Sequence, residues 1–222
     1  MNRLQVIKSG GATRLVYLDV LRATLAVLVV VHHVSLVYGA YTPFYYVDPP
    51  MSRGLLIFGL ANQSWFMGCF FLLAGYFTPG SFDRKGPVSF LKEKSLRLGV
   101  PLLIYIFVLD PIAKIGTYMM PTRLTGITSG PTWQDYPNLL GLGPLWFIAL
   151  LLIFTFGYAA WRLLRGNRAP EGASRPSRLR ITGICIFILA LAAASYLLRI
   201  VIPIGKEVFG FPSLAYLPQY LS

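Results

Sequence analysis

The stretch VLRATLAVLVVVHHV, residues 20–34, is apolar except for Arg22 near one end and the pair His32-His33 near the other. These are the only two histidines in the chain. The surrounding apolar run extends from Leu18 to Tyr38. A helix needs about 20 apolar residues to cross the hydrocarbon of a bilayer, so this run reads as a membrane span. It is long for the apolar core of a signal peptide. Tyr38 also puts a bulky side chain where cleavage before Tyr41 would want a small one. The reading is a retained first helix.

Four further runs have the same character: Leu55 to Phe77, Val100 to Met119, Leu145 to Leu164 and Ile181 to Ile202. The third carries an expected interruption at Asp110-Pro111. The closing FPSLAYLPQYLS, residues 211–222, is apolar but broken by proline, so it reads as an interfacial tail or the start of a sixth span. Composition agrees with a membrane protein. Of 222 residues 55% are hydrophobic and only 13% charged, against about 25% charged in a typical soluble domain. The expected fold is all-α: a polytopic transmembrane helical bundle of about five spans plus a partial sixth. Residues 1–222 then form a single membrane domain.

The net charge of +12 does not point to nucleic acid, because the basic residues fall in short connections between apolar runs. The N-terminal segment and the connections 78–99 and 162–180 hold 14 Lys and Arg residues, and the alternate side holds 5. The positive-inside bias therefore predicts a cytoplasmic N-terminus. The 78–99 connection alternates apolar and basic positions from Val88, the pattern of a short amphipathic helix at the inner surface. The 162–180 connection, rich in Pro, Gly, Ser and Arg, reads as a flexible basic cytoplasmic loop. Cys69 and Cys185 sit singly inside apolar runs, and no Cys/His spacing points to a metal.

Charge inside a span is costly and marks candidate function. Arg22 and His33 are eleven positions apart. On an α-helix that is about 20° beyond three full turns and about 16 Å of rise, so both side chains share one face. His32 points about 100° away from that line. An arginine at the cytoplasmic mouth can grip phosphates, and a histidine deeper in the membrane can serve as a general base. The plainer readings are a topology anchor paired with Asp19 for Arg22, and hydrogen bonds to neighbouring helices for the histidines. Asn62, Gln63 and Ser64 form a polar patch in the second run, followed by Trp65. They read either as interhelical hydrogen-bonding groups or as contacts on the acceptor side. Asp110, toward the outer half of the third run, reads as a site residue or as a kink or solvated helix end. Trp146 reads as an interface anchor.

Three stretches in order resemble one family. YLDVLRATLAVLVVVHHV is similar to the first helix of the acyltransferase type 3 family of integral-membrane O-acyltransferases, with its Arg, ten intervening residues and His. WFMGCFFLLAGYFTPGSFDRKGPVSFLKEKSLRLGVPLLIY resembles the family's second helix, basic connection and third-helix entry, and GPLWFIALLLIF its loop-to-helix motif. The likeness is to the glucan-biosynthesis-type branch. It implies transfer of an acyl group, acetyl or succinyl, from cytoplasmic acyl-CoA to a hydroxyl of an extracytoplasmic glycan or lipid-linked sugar. It implies His33 as the catalytic histidine and Arg22, Lys94 and Arg97 as donor-binding residues. Lys94 stands where the family more often has arginine, and Ala74 where many members have serine. Asn62, Gln63, Trp65 and Asp110 are the candidates on the acceptor side.

No bound cofactor is expected, since acyl-CoA is a substrate. The expected partners are membrane lipid and the sugar acceptor, in a bacterial inner membrane. Roughly ten helices are implied, so the chain reads as a truncated member, with a homodimer or a second-half partner as the expected remedy. The competing functional classes are a transporter or permease subunit, and a non-catalytic remnant that needs a partner.

Overall fold

The first apolar run forms one unbroken helix, α1, Val16–Gly39. In this computed structural model the described residues are 8–9, 12–13, 16–39, 45, 48, 50–130, 132–166, 181–204, 206, 208, 210–211 and 214–221. Ahead of α1, Lys8–Ser9 (β1) pairs antiparallel with Ala12–Thr13 (β2), two residues each. Everything larger is helical. Five helical segments are long and apolar enough to cross a membrane: Val16–Gly39, Arg53–Lys85, Pro87–Tyr118, Trp133–Leu164 and Ile181–Val201. The chain is an all-α integral membrane protein, as its hydropathy pattern requires.

The backbone divides into two compact units, Met1–Phe70 and Phe71–Ser222. In the first, α1 lies against α2, Arg53–Gln63. Ser52 caps α2 by accepting from the Leu55 amide at 3.4 Å. Contacts run from Gly39 against Leu55 and Leu56, through Ser35 beside Gly59, to Leu28 beside Asn62, so the two helices are antiparallel. A Cβ on Gly39 would stand 3.1 Å from the Leu56 nitrogen. Small residues allow this close approach, the usual basis of helix association in lipid. At Ser64-Trp65 the helical run makes a turn before α3, Phe66–Lys85.

In the second unit α3 runs through Pro79 to Lys85, eight residues past the predicted end of the second span. The first eight residues of the 78–99 segment are thus helical. After Gly86, α4 (Pro87–Lys94) leads without a break into the third span. The amphipathic helix expected from Val88 is therefore present, but its apolar side is used within the protein. Phe90 packs on Phe82 (ring centroids 5.3 Å) beside Ala159, and Phe82 meets Tyr158 edge-on at 5.6 Å.

The third span is α5 (Val100–Ile104) and α6 (Asp110–Tyr118), with wide π-type turns at Ser95–Gly99 and Tyr105–Leu109. The break expected at Asp110-Pro111 does not occur. Each wide turn contains the residue four before a proline, Arg97 before Pro101 and Phe107 before Pro111. A proline lacks the N–H for that carbonyl and its ring crowds it, and a widened turn relieves the clash. The freed Phe107 carbonyl accepts from the Tyr136 hydroxyl at 2.9 Å.

Beyond the span come α7 (Thr122–Thr125), α8 (Tyr136–Leu139) and α9 (Trp146–Leu164). Of the predicted 162–180 loop, residues 167–180 lie outside the described set. Helix α10 is Ile181–Val201 and α11 is Leu217–Leu221. The C-terminal segment is docked: Arg199 stacks on Tyr216 at 4.8 Å, and Tyr220 sits between Phe71 (4.8 Å) and Trp146 (5.7 Å).

Candidate functional site

Because α1 is unbroken from Val16 to Gly39, the register between Arg22 and His33 is that of a continuous helix, one face and about 16 Å of rise. Arg22 is exposed along about half of its side chain (48%) and lies 3.7 Å from Asp19, one turn earlier.

The two histidines have different surroundings. His33 Nδ1 lies 2.7 Å from the Val29 carbonyl oxygen. A carbonyl only accepts, so Nδ1 carries the proton and donates. In the neutral imidazole Nε2 is then the nitrogen that can take a proton. His32 is buried (4% exposed) and stacks on Phe66 at 5.1 Å. Its Nδ1 has no hydrogen-bond partner among the described residues. The rings of His32 and His33 meet edge-on at 5.6 Å. Of the two, His33 is held in a tautomer suited to take a proton, and His32 is held as a packing group.

The polar patch in the second span lies on the same unit. Asn62 is buried, and its side-chain nitrogen donates to the Leu28 carbonyl at 3.5 Å, one turn before His32. Gln63 is buried beside it, and Trp65 is exposed. Ser35 Oγ donates to the His32 carbonyl at 2.7 Å, tying the backbone of the histidine pair. Within this unit Arg22 and His33 lie on α1, and Asn62 and Gln63 lie on α2.

The remaining candidates belong to the second unit. Lys94 closes α4 with its ammonium 5.7 Å from the Phe90 ring centre, and Arg97 is exposed in the first wide turn. Lys85 pairs with Glu93, which neutralises one charge of this basic segment. Asp110 is fully buried (0% exposed), so the solvated helix end considered for it is excluded. Its Oδ2 lies 2.8 Å from Lys114 Nζ, and its Oδ1 accepts from the Tyr105 hydroxyl at 3.3 Å. Trp146 is buried rather than an exposed interface anchor.

Sequence reading missed two groups. Lys114 and Tyr105 surround Asp110, and the i, i+4 spacing of Asp110 and Lys114 was the available signal. Arg162 bonds Asp83 at 2.6 Å and Tyr158 at 2.9 Å, and covers the Phe82 ring at 5.2 Å. Nothing local in the sequence marks that second pair, whose members are 79 residues apart. Among the described residues no cluster of His, Cys, Asp and Glu could hold a metal ion.

Fold and geometry define a helical membrane protein whose first span carries an arginine and a histidine on one face. The chain belongs to the acyltransferase type 3 family, whose acyltransferase domain matches residues 15–222. It is similar to glucans biosynthesis protein C of Shigella dysenteriae serotype 1 (strain Sd197) and of Escherichia coli (strain K12). Each is 26% identical over 226 residues, covering 95% of this chain and 57% of the relative. The chain therefore spans a little over half the length of these relatives. No solved structure matches it.

Proposed function

We propose that this protein is a membrane O-acyltransferase that moves an acetyl or succinyl group from cytoplasmic acyl-CoA to a hydroxyl of an extracytoplasmic glycan or lipid-linked sugar. The observation that carries the reading is the first span. Arg22 and His33 share its face, His33 donates through Nδ1 to Val29, and the family's domain covers residues 15–222. Glucan biosynthesis in the names of the relatives favours a sugar acceptor.

The chemistry follows from these groups. Arg22, Lys94 and Arg97 bind the phosphates of the donor, Arg22 and Arg97 by paired N–H groups and Lys94 as a point charge. His33 Nε2 takes the proton of the acceptor hydroxyl as its oxygen attacks the thioester carbonyl. The new C–O bond forms, the C–S bond breaks, and the departing thiolate takes the proton from His33. The ester remains on the sugar and CoA-SH leaves on the donor side.

The test is radiolabelled acetyl-CoA or succinyl-CoA added to membranes that contain the chain, with label followed into glycan and lipid. His33→Ala should cut transfer by about 100-fold or more, the scale of losing a general base, at unchanged protein level in the membrane. Arg97→Ala should raise the donor KM with a smaller change in kcat. Full transfer by His33→Ala overturns the assignment. Substrate movement without any labelled product would favour a permease instead.

A further inference from the structure

The end of the third span carries a buried ion pair with a loop laid directly over it. Asp110 has no exposed surface, and Lys114, one turn on, is exposed along 32% of its side chain. Lys114 Nζ makes two contacts, to Asp110 Oδ2 at 2.8 Å and to the Leu139 carbonyl at 2.9 Å. The second contact reaches 25 residues along the chain, into the segment that enters α9. That segment is fitted to the pair. A Cβ at Gly141 would stand 3.0 Å from both Asp110 Oδ2 and Lys114 Nζ. Gly143 has φ +43°, a conformation L side chains rarely adopt, and a Cβ there would overlap the Tyr105 hydroxyl. Tyr105 itself donates to Asp110 Oδ1 at 3.3 Å. Two residues of one loop are thus glycine because they sit on three polar side chains of one helix.

We propose that Tyr105, Asp110 and Lys114 are positioning residues: a polar clasp that holds loop 139–143 over the end of the third span and shapes the mouth through which the sugar acceptor enters. The location follows from the helix. Lys114 lies about 25 Å along the span from Arg97, at 1.5 Å per residue, so the clasp is at the end away from the donor-binding groups. The loop is also a junction, because Leu142 packs against Gly210 of the C-terminal segment. A carboxylate buried here is tolerated because an ammonium lies 2.8 Å from Oδ2 and a hydroxyl donates to Oδ1. Removing the ammonium takes away the ion-pair partner of a buried carboxylate, and removing the carboxylate takes away one of the two contacts of the ammonium. The placement at an acceptor mouth rests on the acyl-transfer reading, whereas the clasp itself does not.

The experiment has two arms on the full-length chain in membranes. In the first, Leu140→Cys or Leu142→Cys reports loop position by its rate of reaction with a maleimide. Asp110→Asn and Lys114→Met should each raise that rate about fivefold or more as the loop opens, and Lys114→Arg should restore the slow rate. In the second arm, the same variants should raise the apparent KM for extracted glycan acceptor while the acyl-CoA KM stays unchanged. A simple loss of folded protein would lower kcat alone. Where Asp110→Asn fails to reach the membrane, Gly141→Ala displaces the loop without unpairing the charges and carries both arms. Unchanged labelling overturns the clasp. Raised labelling with both KM values moving together overturns its role at the acceptor mouth. Absence of acyl transfer in the parent chain overturns the acyl-transfer reading, and the labelling arm still decides the clasp.

Discussion

At the scale of single residues, the histidine pair shows how two adjacent imidazoles acquire different work. The helix turns about 100° per residue. That rotation buries His32 against Phe66 and leaves His33 on the line of Arg22, with its Nδ1 spent on the Val29 carbonyl. A buried imidazole nitrogen without a partner costs about 1–3 kcal/mol. His32→Phe should therefore keep near-parental transfer and hold or raise the thermal midpoint in detergent. A tenfold loss of activity in His32→Phe, with the protein folded, would move the catalytic assignment to His32. The separation of the two was legible in the sequence, because helical periodicity alone puts His33 in register with Arg22. The tautomer was not, because it depends on which carbonyl the ring reaches.

At the scale of elements, α4 is held by its apolar side rather than by its charges. Phe90 is buried on Phe82 and Ala159, whereas the Lys85–Glu93 pair is open to solvent. Exposed pairs contribute little, about 0–1 kcal/mol. Truncating a buried aromatic ring costs about 3–5 kcal/mol. Phe90→Ala should accordingly lower the thermal midpoint markedly and raise the acyl-CoA KM, since α4 carries Lys94 and leads into Arg97. Glu93→Gln should leave both nearly unchanged. If Glu93→Gln proves the more damaging change, the charges rather than the ring cluster hold this element. The alternation of Phe90 and Leu91 with Lys92 and Lys94 announced an amphipathic helix. Its partner was hidden, because Ala159 and Tyr158 lie some 70 residues away and periodicity names a face without naming what covers it. The same limit explains the third span. Asp110-Pro111 looked like a break, but the widened turn before it and the Tyr136 hydroxyl satisfy the backbone that the proline disrupts.

At the scale of the whole molecule, the spans were legible and their orientation rests on charge. Apolar length reports directly on bilayer thickness, so each predicted run lies within a helical segment; the first and fifth match it within a few residues, whereas the second divides at Ser64-Trp65 and extends to Lys85, and the third and fourth segments begin earlier, at Pro87 and Trp133. The side on which each connection lies is set during insertion by Lys and Arg, 14 against 5 here. On the proposed orientation Arg22, Lys94 and Arg97 lie inside, on the side of the proposed acyl-CoA donor, and the Asp110–Lys114 end lies outside. The proposed reaction requires this arrangement, because CoA phosphates cannot be gripped by residues on the far side. Single cysteines read out by a membrane-impermeant maleimide test it, after Cys69 and Cys185 are replaced by serine and alanine. Ser129→Cys, exposed in the connection after the third span, should label in intact cells. Ser174→Cys should label only after the membrane is opened. The opposite pattern would place the basic groups outside and remove the donor-binding roles of Lys94 and Arg97, whatever His33→Ala does. The expected pattern, combined with a raised donor KM in Arg97→Ala, fixes the direction of transfer as inside to outside.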